Sequence, residues 1–124
     1  MKFLVVDDSA TMRRIVINTL QRIGYGECLE AADGDEALER FDASIACILT
    51  DWNMPNMSGL DFVRALRARD DGGKVKVIMI TTRSVREDIV QAARAGVNSY
   101  VVKPFTPEIL KEKLDQVFAV KGAA

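Results

Sequence analysis

Five short apolar runs, separated by five amphipathic segments, constrain this chain more than any other feature of its sequence. The runs are Lys2–Val6, Cys28–Ala31, Ala46–Thr50, Lys76–Ile80 and Ser99–Val102. Several are rich in Val and Ile and have no polar face. A strand with one side in water alternates apolar and polar residues, whereas a strand covered on both sides does not. The runs therefore read as strands of a parallel sheet lying between helices. Cys28–Ala31 is the least apolar of them and belongs at or near an edge.

The intervening segments have helical spacing. About Ala10–Ile23, Met12, Val16, Leu20 and Ile23 fall on one face, and Gly24 supplies a C-terminal stop. A second helix is expected over about Asp35–Phe41 with Ala37, Leu38 and Phe41 inward, and a third over about Gly59–Ala68 with Leu60, Val63 and Leu66. A fourth covers about Arg86–Ala95 and closes at Gly96. The fifth opens with Thr106 as N-cap and Pro107 at the first helical position, and buries Leu110, Leu114 and Val117. Strand–helix repeated five times implies an α/β fold, a doubly wound parallel sheet with right-handed crossovers. The natural order for five strands is the flavodoxin-like 2-1-3-4-5. Neither a linker nor an internal repeat interrupts the 124 residues, so one domain over 1–124 is expected. Asp70–Lys74, with Gly72-Gly73, is the one irregular stretch with room to move.

Bulk properties remove several function classes. Seventeen basic and 18 acidic residues leave a formal charge of −1, without the basic excess of a nucleic-acid binder. Arg13-Arg14 and Asp70-Asp71 read as solvated surface. No run approaches the roughly 20 apolar residues of a membrane helix, and Met1-Lys2 does not open a signal peptide. Cys28 and Cys47 have no metal-ligand or CxxC spacing and read as buried thiols of a reducing, cytoplasmic setting. The chain has no histidine, which excludes a Ser/His/Asp triad and any His-ligated metal.

The strand ends carry the chemistry. Strand one ends in Asp7-Asp8, strand three in Thr50-Asp51, strand four in Thr81-Thr82 and strand five in Lys103. In a parallel sheet these ends share one edge, and ligands bind there where strand order reverses, between strands one and three. Asp7, Asp8 and Asp51 should converge, with Thr81 and Lys103 reaching in. Carboxylates about 4 Å apart repel by roughly 4 kcal/mol per pair at an effective dielectric near 20, so cations must compensate. Lys103 is one. Mg²⁺ suits the rest, because it takes one or two carboxylates, keeps waters and bridges to phosphate oxygens. A carboxylate can attack phosphorus to form an aspartyl phosphate, and such transfer needs mostly positioning and charge neutralisation. Asp51 is left as acceptor, because Asp7 and Asp8 are better placed to hold the metal.

Val5-Val6-Asp7-Asp8-Ser9, Thr50-Asp51-Trp52-Asn53-Met54-Pro55, Ile80-Thr81-Thr82 and Tyr100-Val101-Val102-Lys103-Pro104-Phe105 appear in this order at the strand ends. Over essentially its whole length the chain resembles the CheY-like receiver domains of two-component systems. Asp51–Met57 and Ser9–Arg14 resemble the chemotaxis members. The resemblance implies Asp51 as phosphoacceptor. Asp8, Asp51 and the Asn53 carbonyl would ligate Mg²⁺, with Asp7 acting through water. Lys103 would contact the phosphoryl group, Thr81 would move to hydrogen-bond it, and Tyr100 would swing inward after Thr81. The Lys103–Pro104 bond is often cis in this family. Trp52 is expected to be a partly exposed loop residue without a chemical role.

The resemblance further implies a histidine kinase as donor, a possible accessory phosphatase, and protein–protein readout, with the flagellar motor switch as leading partner. No output domain is expected after the fifth helix, since only Lys121-Gly122-Ala123-Ala124 closes the chain. Monomer is the default. Two positions depart from the family: Thr82 stands where a small residue is usual, and Arg83 where an acidic or other polar residue is common. Phosphoryl lifetime therefore does not carry over.

Other protein classes share parts of this pattern. A stand-alone receiver acting as phosphate sink or relay shares every motif named. An aspartyl-phosphate phosphatase-type hydrolase would want a second Asp where Asn53 stands. A small flavodoxin would need a Ser-, Thr- or Gly-rich phosphate loop where Asp7-Asp8 stand. A P-loop is excluded by the absence of GxxxxGK[ST].

Overall fold

A computed structural model describes residues 1–119. Five strands alternate with five helices: β1 (Lys2–Val6), α1 (Ala10–Arg22), β2 (Glu27–Ala31), α2 (Gly34–Arg40), β3 (Ile45–Thr50), α3 (Gly59–Ala68), β4 (Lys76–Thr81), α4 (Arg86–Ala95), β5 (Ser99–Val102) and α5 (Pro107–Val117). All strand pairs are parallel and the order is β2-β1-β3-β4-β5. This is the expected flavodoxin-like arrangement, with β2 at an edge.

The pleat divides each strand between two cores. Phe3, Val5, Cys47, Leu49, Ile78 and Ile80 point to the layer of α1 and α5, where Val16, Leu20, Leu110 and Leu114 meet them. Leu4, Val6, Ile48 and Val77 point the other way, onto Ala37 of α2 and Phe62, Val63 and Leu66 of α3. Met79 packs with Ala92 of α4. Full burial of such a side chain contributes about 1.5–3 kcal/mol.

Local chemistry sets the helix ends. Ser9, Asp33, Ser58 and Thr106 each accept a hydrogen bond from the backbone N–H three residues on, at 3.1, 2.8, 3.1 and 3.2 Å. Gly96, at φ 109°, closes α4 in the left-handed region. Boundaries differ from expectation by a residue or two where caps leave the helix. Phe41 is extended and caps α2 from outside, although its ring is still buried. Thr81 is the last residue of β4, one past the apolar run Lys76–Ile80.

One expectation is refined and one corrected. Asp70–Lys74 is irregular and mostly exposed, as expected, but Arg67 anchors its buried Gly72 through the carbonyl (2.9 Å) and also donates to the Val75 carbonyl beyond it (2.7 Å). Cys47 is fully buried, but Cys28 is only half-buried, since the edge strand leaves one side of it less covered. The ending Lys121–Ala124 lies outside the described residues. No helix among the described residues is long and apolar enough to cross a membrane.

Candidate functional site

The carboxyl ends of β1 and β3 lie side by side because the two strands pair directly, with Val6 opposite Thr50. The ladder continues beyond them. The Asp51 N–H donates to the Val6 carbonyl at 3.0 Å, and the Asp7 N–H to the Ala31 carbonyl at 3.1 Å. The three acidic residues thereby converge. One carboxylate oxygen from each of Asp7, Asp8 and Asp51 lies within 4.8 Å of the others.

Lys103 closes the site from β5. Its backbone N–H donates to the Thr81 carbonyl at 2.9 Å, and its peptide bond to Pro104 is cis. The ammonium Nζ lies 3.1 Å from Asp51 Oδ2 and 3.3 Å from Asp7 Oδ2. Asp51 Oδ1 accepts the Trp52 N–H at 2.6 Å, and Asp7 Oδ1 accepts the Ser9 N–H at 2.9 Å. Burial pushes the Asp7 carboxyl above its ordinary value of 3.8, while the Ser9 N–H and Lys103 pull it back. Asp8 is exposed and makes no ion pair among the described residues.

Three carboxylates thus face one ammonium, and every acceptor is an oxygen. Surplus negative charge, hard oxygen donors and an open side at Asp8 together fit a hydrated divalent cation such as Mg²⁺.

Thr81 and Tyr100 stand beside this cluster. Thr81 is fully buried, and its hydroxyl accepts the Arg83 N–H at 3.3 Å. Tyr100 is half-buried, and its hydroxyl donates to the Arg83 carbonyl at 2.9 Å. Burial, with Asp88 nearby, holds this phenol above its ordinary pKa, so it stays a donor. Asn53 is exposed, and its side-chain oxygen accepts from Arg83 at 3.0 and 3.3 Å. Thr82 is exposed and lines a hollow of about 290 Å³ with Met12, Ile15, Lys103, Pro104 and Phe105.

The structure corrects the reading of two residues. Trp52 is 6% exposed, not a partly exposed loop residue. It packs with Leu60, Met79 and Ala92, and the Arg83 guanidinium stacks 4.6 Å from its ring centroid. Arg13 is not simple solvated surface. Its guanidinium donates to the Asp7 carbonyl and pairs with Glu30 at 2.9 Å, which ties the β1 end to β2. Position in the first turn of α1, just after the acidic pair, was the one sequence cue for Arg13.

Fold and acidic edge together match a known class. The model of the response regulator receiver domain family matches residues 3–115, and the chain belongs to that family. It is accordingly a phosphoacceptor signalling protein, a phosphorylation-dependent switch rather than a conventional enzyme. Among similar proteins, the chemotaxis protein CheY1 of Helicobacter pylori is 54% identical over 119 residues, covering 94% of this chain and 96% of the relative. Chemotaxis protein CheY of Pseudomonas aeruginosa is 47% identical, covering 95% and 96%. The solved structure of the chemotaxis response regulator CheY4 of Vibrio cholerae superposes with a TM-score of 0.85 at 40% identity, covering 94% of this chain and 98% of that one.

Proposed function

We propose that this chain is a CheY-type chemotaxis switch that takes a phosphoryl group on Asp51 from a histidine kinase and then changes its affinity for the flagellar motor switch. The observation that carries the reading is the Asp51 carboxylate, held by Lys103 and the Trp52 N–H beside Asp7 and Asp8, in a chain 54% identical to a chemotaxis protein over nearly its full length.

An Asp51 carboxylate oxygen attacks the phosphorus of the donor's phosphohistidine. The P–N bond breaks and the imidazole keeps its electron pair. Asp8, Asp51 and the Asn53 main-chain carbonyl would hold Mg²⁺, with Asp7 acting through water. The bound ion would neutralise charge on the transferring phosphoryl oxygens. The Lys103 ammonium answers a further phosphoryl oxygen. The Thr81 hydroxyl, at the end of β4, turns toward the phosphoryl group and donates to it. That movement opens space for Tyr100 and alters the surface of α4, β5 and α5. Residues 1–124 act as one monomeric receiver in the cytoplasm, and an accessory phosphatase can shorten the signal.

The test is a titration with Mg²⁺ and then acetyl phosphate, following Trp52 fluorescence, with Asp51→Asn as control. A Mg²⁺-dependent change, followed by a reversible acetyl phosphate response that the control lacks, is expected. No response to either ligand would overturn the reading. Binding of a motor-switch peptide by the phosphorylated form separates a motor regulator from a phosphate sink.

A further inference from the structure

Arg83 joins the loop after Asp51 to β4, β5 and α4. The residue lies in the loop between β4 and α4, two positions after Thr81. Its guanidinium engages the loop that follows Asp51 in two ways. It stacks over the Trp52 ring at 4.6 Å, and its Nε and Nη2 both donate to Asn53 Oδ1, at 3.3 and 3.0 Å. Its Nη1 also reaches Asp88 Oδ2 of α4 at 3.4 Å. The main chain of the same residue engages both switch positions, donating to the Thr81 hydroxyl at 3.3 Å and accepting from the Tyr100 hydroxyl at 2.9 Å.

A surface arginine is ordinarily solvated, with one partner or none. Here one side chain grips the acceptor loop and α4, while its own peptide groups hold β4 and β5. Any displacement of Trp52 or Asn53 pulls on the peptide units to which Thr81 and Tyr100 are bonded. A planar guanidinium can stack on an indole and fork onto an amide oxygen at once, whereas an ammonium cannot.

We propose that Arg83 is a positioning residue that couples the Asp51 loop to Tyr100 and α4, so that occupancy of the acceptor reaches the α4–β5 surface through its guanidinium. This rests on Asp51 being the phosphoacceptor. Arg83 touches neither Asp51 nor Lys103 among the described contacts, so its loss should leave occupancy intact and remove the response.

The experiment compares the 124-residue chain with its Arg83→Ala and Arg83→Lys variants, using Mg²⁺ and beryllofluoride as the phosphoryl mimic. Bound beryllofluoride is counted by ¹⁹F NMR, which does not depend on Trp52. The response is read as the change in amide hydrogen exchange over residues 86–102. Arg83→Ala should bind the mimic within about threefold of wild type but lose more than two-thirds of the exchange change. Arg83→Lys, which keeps the charge and lacks the fork, should lose at least half of it. A full exchange change in Arg83→Ala, full rescue by lysine, or loss of mimic binding in either variant overturns the coupling alone. Failure of the wild type to bind the mimic overturns the phosphoacceptor reading and this coupling with it.

Discussion

Adding one methyl group at Gly59 should damage both the fold and the site. Gly59 is the first residue of α3, and its N–H donates to the Trp52 carbonyl at 2.7 Å. A Cβ built there would lie 1.9 Å from the Asp51 carbonyl oxygen and 3.1 Å from Trp52 Cα. Carbon and carbonyl oxygen normally approach no closer than about 3.3 Å, so more than ~1 Å of movement is required. The obstruction is backbone on both sides and cannot rotate away. Overpacking of this kind costs about 1–3 kcal/mol, and Ala recovers at most ~1 kcal/mol through helix propensity. We expect a net loss of about 2 kcal/mol in urea unfolding. Displacement of the Asp51 backbone by this amount should also slow phosphorylation by acetyl phosphate, on the order of 10²-fold. Gly73→Ala is the control, since no atom lies within 4 Å of its Cβ. Wild-type stability and phosphorylation rate in Gly59→Ala would refute the reasoning.

Other outcomes follow from the same geometry. Asp8→Asn removes one of three carboxylates whose oxygens lie within 4.8 Å of one another. Because Asp8 is exposed, the water-like figure of ~1 kcal/mol for a close pair sets the scale, and the metal-free protein should gain about that much stability. The same variant should lose the Mg²⁺-induced rise in Tm; a destabilised variant, or an unchanged Mg²⁺ response, would contradict this. Burial raises the Asp7 pKa above 3.8, so the fold favours its neutral form. That contribution is complete below 3.8 and is lost as pH rises through the raised folded value; metal-free stability measured against pH should fall across that window less steeply in Asp7→Asn than in wild type. Burial pushes the Cys47 thiol up to about 12, so iodoacetamide at pH 8 should label half-buried Cys28 first and Cys47 only on unfolding, as read by mass spectrometry.

Much of the architecture was legible in local pattern. α3, α4 and β5 begin and end where spacing and Gly96 place them, because a helix or buried strand writes its own period into neighbouring residues. The acidic edge was equally legible, since in a parallel sheet every strand delivers its last residue to one side. Asp7, Asp8, Asp51 and Lys103 meet there, as the strand ends imply. What surrounds them was not legible. Arg83 meets Asn53 across 30 residues, and no local period records such a meeting. Trp52 looks like a loop residue in sequence, and only the packing of α3, β4 and α4 puts it under cover. Cys28 and Cys47 both read as buried thiols in sequence, although the run that holds Cys28 already reads as an edge strand; how far that edge leaves Cys28 uncovered is decided by the packing. Secondary structure and the strand-end site are encoded by near neighbours along the chain. Burial, the Arg13 and Arg83 contacts and the close approach at Gly59 depend on where separate elements stop relative to each other, and only tertiary packing decides that.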